Sequence, residues 1–343
     1  MSATTAMQTP KRVDSRLTRK VPTLKQIQAP VAKELQVFHQ YFKGSVKSPI
    51  GLLDKVIRYL MRQKGKQIRP LLVLLSAKTC GAVSDKSYRA AALVELMHTA
   101  TLIHDDVVDD SDRRRGMFSI NALWKNKIAV LLGDFLLSRG LLLALDHKDY
   151  NALHILSDAV KRMSEGELLQ IQKARLLDID EATYFSIISD KTASLIAACT
   201  ASGADSVSED DQVVEKMKMM GEKLGIAFQI RDDLFDYGIK DVGKPLGIDL
   251  QEKKMTLPLI HALEKTSAED RKRIMRIVRK KKKSKADIRK VSIFVTTQGG
   301  IDYAKDKMNA HAEEARKILL DFDPTPARDA LLDLVDFTVL REK

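Results

Sequence analysis

The chain has 343 residues, and its 58 Lys and Arg against 46 Asp and Glu give a net charge of +12. With only two cysteines, Cys80 and Cys199, a disulfide framework is excluded, and we expect a reducing, cytoplasmic environment. The sequence has no uninterrupted apolar run of about 18 residues that would predict a membrane span.

The N-terminal end is basic. The first 25 residues hold six Lys or Arg and one acid, Asp14. We interpret residues 1–24 as a basic, flexible N-terminus in preference to an organelle-targeting peptide. Because no linker rich in Pro, Gly and Ser follows, residues 25–343 predict one large domain.

Long apolar stretches dominate the middle of the chain. The segments AALVELMHTATLIHDD and NKIAVLLGDFLLSRGLLLAL are too long for ordinary strands and are apolar nearly all round. Such helices belong at the centre of a bundle, so we predict an all-α fold, a single large helical bundle with an apolar tunnel. Helices are expected to begin near Ser48 and at Ser267, with breaks near Gly81, Gly203 and Gly243.

Two acidic clusters share one spacing. The first lies in LIHDDVVDDSDRRRG, where Asp105 and Asp109 are four residues apart and project from one helix face, while Asp106 points about 100° away. The second lies in FQIRDDLFDYG and repeats the pattern with Asp232 and Asp236. The spacing therefore predicts two pairs of carboxylates, each pair on one side of a helix.

Carboxylates this close repel each other and favour a bound cation. Oxygen ligands without thiolate or multiple imidazole partners suit Mg²⁺, which keeps several waters and is usually completed by substrate phosphates. The clusters therefore predict Mg²⁺ and a diphosphate. A single cluster of this kind could equally be a solvated helix end, but its repetition in apolar context favours the metal site.

Groups suited to anions surround both clusters. Those near the first are Lys66, Arg69, His98, Arg114 and Arg115. Those near the second are Lys191, Thr192, Gln229, Lys244 and Lys254. Taken singly, each would be interpreted as a solvated charge or a core side chain. Together they favour phosphate binding, with Lys244 on a glycine-containing loop that could close over the ligand.

The chain resembles the trans-isoprenyl diphosphate synthases, also called polyprenyl synthetases, of the long-chain octaprenyl type. The matching motifs, in family order, are GKQIRP, HTATLIHDDVVDDSDRRRG, the Lys-Thr pair, FQIRDDLFDYG, GKP and the lysine before TLPLI, and they span residues 65 to 258. The resemblance implies a helical bundle of the isoprenoid synthase type and a homodimer. It also implies a Mg²⁺-dependent prenyltransferase that elongates an allylic diphosphate with isopentenyl diphosphate by head-to-tail condensation.

The resemblance assigns roles by position. The Mg²⁺ ions on the allylic diphosphate would be held by Asp105, Asp109, Asp232 and Asp236. The same diphosphate would be contacted by Arg114, Lys191, Lys244 and Lys254. The allylic cation would be steadied by Lys191, Thr192 and Gln229. The diphosphate of isopentenyl diphosphate would be held by Lys66, Arg69, His98 and Arg115.

Two positions depart from the family pattern. Many members carry two carboxylates after the GKP loop, whereas Gly247, Ile248 and Asp249 leave one here. Lys253 stands where a glycine often precedes the final lysine. These departures bear on the geometry of the loop around Lys254.

Product length should be set by the side chains that block the apolar tunnel beneath the first cluster. Ala100 and Thr101, one turn upstream of Asp105, are small, which predicts a product longer than farnesyl or geranylgeranyl diphosphate. Further down, the side chains that could form the floor of this tunnel are Met97, Val94, Phe135 and Leu136. We expect an all-trans heptaprenyl to nonaprenyl diphosphate, centrally octaprenyl, for quinone side chains. In the alternative, Ala100 only permits close helix packing and the enzyme makes a shorter product, farnesyl or geranylgeranyl diphosphate.

Residues 271–290 hold twelve Lys or Arg and a single acid, Asp287. Such a run is typical of a solvated loop. The alternative is weak contact with anionic lipid headgroups, which would help to deliver a long product to a membrane. We do not expect nucleic-acid binding, because the run contains no aromatic residue and no recognition motif accompanies it.

Three other functions share some of these features. A metal phosphohydrolase of the HD type would use His104 and Asp105, but it needs further metal-ligand histidines. A terpene cyclase would share the first acidic cluster, but it usually has an aromatic cavity and a different second metal motif. The non-enzyme alternative is a non-catalytic subunit of a heteromeric prenyl synthase, which the two intact acidic clusters disfavour.

Overall fold

The computed structural model describes residues 21–63, 65–114, 116–238 and 247–341. In these ranges the chain forms sixteen α-helices and one short hairpin, which confirms the all-α prediction. The first eight helices are α1 Leu24–Gln28, α2 Ala32–Ser45, α3 Gly51–Arg62, α4 Ile68–Cys80, α5 Asp85–Val108, α6 Ile120–Asp146, α7 Tyr150–Leu176 and α8 Glu181–Ile188. The others are α9 Ser194–Asp205, α10 Asp211–Phe235, α11 Ile248–Gln251, α12 Leu257–Glu264, α13 Ala268–Arg279, α14 Lys285–Thr297, α15 Gly300–Leu320 and α16 Pro326–Leu340.

Three smaller elements complete the described chain. A 3₁₀ turn spans Ala29–Val31, and a π-helical turn spans Ser189–Ala193 between α8 and α9. Strands β1 Arg113–Arg114 and β2 Met117–Phe118 pair in antiparallel fashion after the first acidic cluster. The hairpin turns the chain from α5 into α6.

Helix α9 is the most enclosed helix in the bundle. Every residue from Ser194 to Asp205 is buried, and the helix packs against α4, α5, α7 and α10. The predicted break near Gly203 is confirmed, since α9 ends two residues later at Asp205, although the glycine itself lies inside the helix. An added Cβ would lie 2.3 Å from the carbonyl oxygen of Val73, so the glycine permits close packing of α9 on α4.

Helix α6 lies against α5 but has an open side, although its apolar sequence predicted a central position. By length and composition α6 could cross a membrane, and only 33% of its most apolar 18-residue window is buried. Its packed side lies close to α5. A Cβ added at Gly133 would clash with His104, and one added at Gly140 would lie 3.1 Å from Leu93. We interpret α6 as a bundle helix with one apolar face on the surface of the described part of the chain.

Local sequence signals place several helix ends correctly. Helix α3 begins at Gly51, close to the predicted start at Ser48, and Gly81 caps the end of α4. The Ser267 hydroxyl accepts a hydrogen bond from the N–H of Asp270 at 3.2 Å and so starts α13. The break predicted near Gly243 lies outside the described residues.

Candidate active site

The first acidic cluster lies at the C-terminal end of α5. Asp105 is in the last turn and Asp109 is the C-cap residue, and both side chains are exposed. Asp106 is buried and accepts a hydrogen bond from Nε of Arg114 at 2.7 Å. Asp105 and Asp109 are therefore open to a ligand, whereas Asp106 anchors the β-hairpin to the helix.

Electrostatics around Asp105 favour a bound cation. Although Asp105 is exposed as a residue, partial desolvation of its carboxylate by the surrounding chain raises its pKa; the charges of Asp109 and Glu167 raise it further, while Arg114 and Lys191 lower it. A divalent cation between these carboxylates would replace repulsion with attraction. The donor set fits Mg²⁺, which takes one or two carboxylates and completes its shell with water and phosphate oxygens.

The second acidic cluster lies at the C-terminal end of α10. Asp232 pairs with Arg341 at 2.5 Å, and the guanidinium of Arg341 lies 4.2 Å from the ring centroid of Phe228. Asp236 caps α10 and accepts a hydrogen bond from the N–H of Ile248 at 2.8 Å. Arg341, which caps the end of α16, thus lies against the second cluster and balances the charge of Asp232.

Asp233 has a different environment from its two neighbours in the motif. It is buried, and its two carboxylate oxygens accept hydrogen bonds from Tyr184 at 2.7 Å and from the amide of Gln229 at 2.9 Å. The Thr192 hydroxyl in turn donates to the Gln229 carbonyl at 2.9 Å. Burial raises the pKa of Asp233 to about 7. This chain of bonds fixes the orientation of the Gln229 amide.

Lys191 lies between the two acidic clusters, on the π-helical turn, a feature frequently found at functional sites. Its ammonium group pairs with Glu167 and donates to Gln170 at 3.3 Å. Its charge lowers the pKa of both Asp105 and Asp249. Acids from opposite halves of the sequence therefore face the same ammonium group.

Gly166 permits this arrangement. An added Cβ would lie 2.8 Å from the backbone nitrogen of Lys191 and 3.0 Å from the Cβ of Asp190. Helix α7 can therefore approach the π-helical turn closely, which brings Glu167 to Lys191. Sequence reasoning did not select Glu167, although a glycine inside a helical pattern is a signal of close approach.

Asp249 and Lys254 lie on the other side of Lys191. Nζ of Lys254 is 2.6 Å from Glu252 and 3.7 Å from Asp249. Burial acts to lower the pKa of Lys254, but the bond to Glu252 and the charge of Asp249 raise it above its ordinary value. Burial raises the pKa of Asp249, and burial together with the charge of Asp249 raises that of Asp236 to about 6.

No set of three or more His, Cys, Asp or Glu side chains within the described ranges is close enough to hold one ion. The predicted Mg²⁺ ions therefore stay a prediction, because each cluster would need phosphate and water oxygens to complete the shell of an ion. Lys191 and Glu167 lie near both clusters, since their charges act on Asp105 in the first and on Asp249 and Lys254 beside the second. Each cluster offers its own carboxylates, and a diphosphate with several ions is the ligand that would fill the space between them.

The described residues predicted for isopentenyl diphosphate lie at the N-terminal end of α4 and within α5. Lys66 is exposed just before α4, and Arg69 lies in its first turn, after Gln67 in the left-handed region at φ 51°. His98 is buried on α5, two turns before Asp105. The N-terminus of α4 adds a partial positive charge to this group. Arg115 and Lys244 lie outside the described residues.

Two cavities adjoin these groups. A cavity of about 90 Å³ gathers the residues predicted around the second cluster, among them Lys191, Thr192, Gln229, Asp249 and Lys254. A larger cavity of about 400 Å³ begins at Gln67, Asp106 and Arg114 and continues between apolar side chains that include Leu102, Ile103 and Leu136. An apolar space therefore adjoins the first cluster.

The side chains predicted to set product length lie on different faces. Ala100 and Met97 are each only 2% exposed, and Cγ of Met97 would lie 3.6 Å from a Cβ added at Gly140 of α6. Ala100 shares this face, which supports the helix-packing alternative for it. Thr101 is half-buried one turn before Asp105, and Phe135 is packed at the edge of the core. Of the four candidate floors, Leu136 lines the 400 Å³ cavity.

Comparison with known proteins gives a consistent result. The polyprenyl synthetase family model matches residues 50–294. The chain is 36% identical to the all-trans-nonaprenyl-diphosphate synthase (geranyl-diphosphate specific) of Rhodobacter capsulatus, over 90% of this chain and 95% of that protein. It is 32% identical to the geranylgeranyl diphosphate synthase of Saccharolobus solfataricus, over 88% of this chain and 94% of that protein.

A solved structure extends the likeness to the fold. Polyprenyl synthase from Caulobacter crescentus, crystallised with calcium and isoprenyl diphosphate, superposes with a TM-score of 0.85 at 33% identity. The match covers 95% of this chain and 100% of that one. Helix order and bundle architecture are thus shared along nearly the whole chain.

Proposed function

The chain belongs to the polyprenyl synthetase family and is a prenyltransferase, and on that premise we propose that it makes an all-trans long-chain polyprenyl diphosphate. Its substrates would be isopentenyl diphosphate and an allylic prenyl diphosphate. The observation that carries this proposal is the position of Lys191, which lines one cavity with Asp249 and whose charge lowers the pKa of both Asp249 and Asp105. A diphosphate in this space would meet cations on several sides.

The metal ions we propose are Mg²⁺, held by Asp105 and Asp109 on one side and by Asp232 and Asp236 on the other. When bound, they would supply positive charge to the departing diphosphate. The family likeness includes a protein crystallised with calcium and isoprenyl diphosphate, which supports divalent-ion binding of this kind. The raised pKa values of Asp105 and Asp236 support cation binding on electrostatic grounds.

The chain's own residues would act on the same diphosphate. Lys191 and Lys254 present ammonium groups that are about one-third exposed and held by acidic partners, so they are preorganised for phosphate oxygens. The Gln229 carbonyl, oriented by Thr192 and Asp233, would turn its dipole toward the allylic cation. Released diphosphate could accept the final proton, so no protein base is required.

Isopentenyl diphosphate would bind beside this site, with its diphosphate on Lys66, Arg69 and His98. The positive end of α4 supports an anion there. The prenyl chain would grow into apolar space beneath the first cluster, where water is excluded and the cation is protected. The two diphosphates would thus occupy neighbouring positions near the C-terminal end of α5.

For the product we propose a heptaprenyl to nonaprenyl diphosphate, which could serve as a quinone side chain. The all-trans-nonaprenyl-diphosphate synthase relative at 36% identity and the small Thr101 support the longer product. The geranylgeranyl relative at 32% identity favours the shorter alternative. We also propose a homodimer, because the exposed apolar face of α6 needs a partner of similar character.

The test is to incubate purified protein with Mg²⁺, isopentenyl diphosphate and farnesyl diphosphate, and to identify the product by chromatography. We expect a longer all-trans prenyl diphosphate. Asp105→Asn should lower kcat by about 100-fold or more, because it removes preorganised stabilisation of the leaving group. The matched control is Asp110→Asn, an exposed neighbour in the left-handed region at φ 48° that Asn also tolerates.

Each other product would overturn the proposal in a specific way. A cyclic hydrocarbon would indicate a terpene cyclase, and phosphate release alone would indicate a phosphohydrolase. No turnover by well-folded protein would favour the non-catalytic subunit. Equal kcat values for Asp105→Asn and Asp110→Asn would remove Asp105 from the metal site.

A further inference from the structure

The segment 271–290, which we name the basic edge, forms most of α13, the turn after it and the first part of α14. Eleven of its twelve Lys and Arg are exposed, and only Lys283 is buried. Lys or Arg side chains therefore cover one continuous surface rather than being spread around the bundle. The feature is a fixed, folded surface of high positive charge.

Acidic residues do little to neutralise this surface. Asp287, the single acid in the run, accepts hydrogen bonds from the backbone and hydroxyl of Ser284, each at 3.0 Å, and pairs with Lys280 at 2.8 Å. Asp270 pairs with Arg273 at 2.8 Å. The Lys and Arg in the turn and on α14 therefore greatly outnumber the acidic residues of this surface. The basic edge can thus attract a polyanionic surface.

The basic edge is fixed to the active-site loop. Gln251 of α11 donates to the carbonyl of Lys283 at 2.8 Å and accepts from its N–H at 3.1 Å. Ile288 packs against Gly247, where φ is 80° and an added Cβ would lie 2.5 Å from the isoleucine. The same short segment carries Asp249 and leads to Lys254. A surface bound to the basic edge would therefore lie next to the second acidic cluster.

An exposed apolar side chain accompanies the charges. Ile293 on α14 is 56% exposed and lies three and four residues after Lys290 and Arg289, hence on their face of the helix. Basic residues with an apolar side chain among them are the composition of a surface that lies on a lipid headgroup layer. Nucleic-acid binding is less favoured, because the run offers no aromatic ring on which a base could stack.

We propose that the basic edge binds an anionic lipid bilayer, with Ile293 at the headgroup boundary and the loop of Gly247 to Lys254 turned toward the membrane. This inference rests on the proposed long-chain function for its purpose, because a long polyprenyl product is poorly soluble in water. Product leaving beside this loop would then meet the bilayer at once. The binding itself follows from charge and needs no substrate.

The test is co-sedimentation of the full-length protein with vesicles of phosphatidylcholine, alone or with 30 to 40% phosphatidylglycerol. The variant changes four exposed residues of the turn: Arg279→Gln, Lys281→Gln, Lys282→Gln and Lys285→Gln. The charge-matched control changes four exposed lysines of α2, α3 and the connection between them: Lys33→Gln, Lys43→Gln, Lys47→Gln and Lys55→Gln. Both should retain the wild-type circular dichroism spectrum, because the side chains lie on the surface.

We expect wild type and control to bind anionic vesicles, and the basic-edge variant to bind at least about tenfold more weakly. Each Lys or Arg near such a surface strengthens binding by roughly fivefold. Neutral vesicles and about 0.5 M salt should both release the wild type, since the attraction is screened. Ile293→Ser should weaken binding further at intermediate salt.

Equal binding by the basic-edge variant and the control, or equal binding to neutral vesicles, would overturn the proposal. Displacement from vesicles by a short RNA duplex at equal phosphate concentration would reassign the surface to nucleic acid. Turnover is measured separately in detergent, where the variant should match the wild type. Loss of turnover in every protein would contradict the proposed function and leave the vesicle result standing.

Discussion

Glu167 shows how one side chain can depend on both halves of the site. Its carboxylate holds the ammonium group of Lys191 and adds negative charge beside Asp105. Lys191 in turn lies close enough to Asp249 to lower its pKa. We infer that Glu167 keeps Lys191 in place between the clusters and strengthens the field that attracts a divalent cation.

Glu167→Gln should raise the Mg²⁺ concentration for half-maximal activity about three- to tenfold. The reason is the loss of one negative charge near Asp105, an effect of about 1 kcal/mol for partly exposed groups. Titrating Mg²⁺ at saturating substrates measures it. Glu165→Gln is the control. Glu165 lies on the same helix, and its carboxylate pairs with the ammonium group of Lys161 at a distance of 3.9 Å. Identical Mg²⁺ dependence in the two variants would refute the role of Glu167.

At the scale of the helix, α5 has two faces with different tasks. One face carries Met97 and His104 against the glycines of α6 and includes the buried Ala100. Another carries Thr101 and Asp105 toward the site. Sequence reasoning placed Ala100 and Thr101 together because both lie one turn before Asp105, but they belong to different faces.

Thr101→Phe should shorten the product by one or more isoprene units while the protein stays folded. Ala100→Phe should instead lower the free energy of unfolding by about 1 to 3 kcal/mol, because Ala100 is only 2% exposed and a larger side chain there would overpack the core. Product chromatography and urea unfolding of both variants measure the two effects. The assignment fails if Ala100→Phe shortens the product at wild-type stability, or if Thr101→Phe leaves chain length unchanged.

Helix α6 offers a second prediction at this scale. Leu131 is 56% exposed and Leu142 48%, and at 100° per residue they lie about 20° apart around the helix. Leu131→Glu with Leu142→Glu should convert the proposed dimer to monomer, because charges would be buried in an apolar interface. Sedimentation velocity measures the state. Leu320→Glu, at an exposed site on α15, should remain dimeric, and a double variant that also stays dimeric would place the interface elsewhere.

At the scale of the whole molecule, stability should depend on pH through the second cluster. Burial raises the pKa of Asp233 to about 7, and burial with the charge of Asp249 raises that of Asp236 to about 6. Both values exceed those of the unfolded chain, so the protonated acids stabilise the fold. This stabilisation is complete below about pH 4 and is lost as pH rises through 6 to 7.

When a chelator keeps the protein free of metal ions, the free energy of unfolding should therefore fall by roughly 2 to 4 kcal/mol between pH 5 and pH 8. Urea unfolding across this range measures it. Asp233→Asn should flatten the profile, because the amide cannot ionise. An unchanged slope in this variant would show that Asp233 does not titrate in the range. Added Mg²⁺ should stabilise the protein most at the alkaline end, where the carboxylates are charged.

The sequence by itself determined what depends on local spacing. Residues four apart share a helix face, so the pairs Asp105 with Asp109 and Asp232 with Asp236 were readable from the chain, as was the all-α class from apolar helices without strand patterns. Motif order was likewise sufficient to identify the family, which the family comparison confirms.

Only the tertiary structure decided which helices meet. Spacing cannot show that Glu167 reaches Lys191, that Asp233 receives two hydrogen bonds, or that Gly203 lies inside α9 against Val73. It also could not show that α6 has an open face. These features depend on contacts between segments far apart in the chain, whose energies are set by packing and burial rather than by the period of a helix.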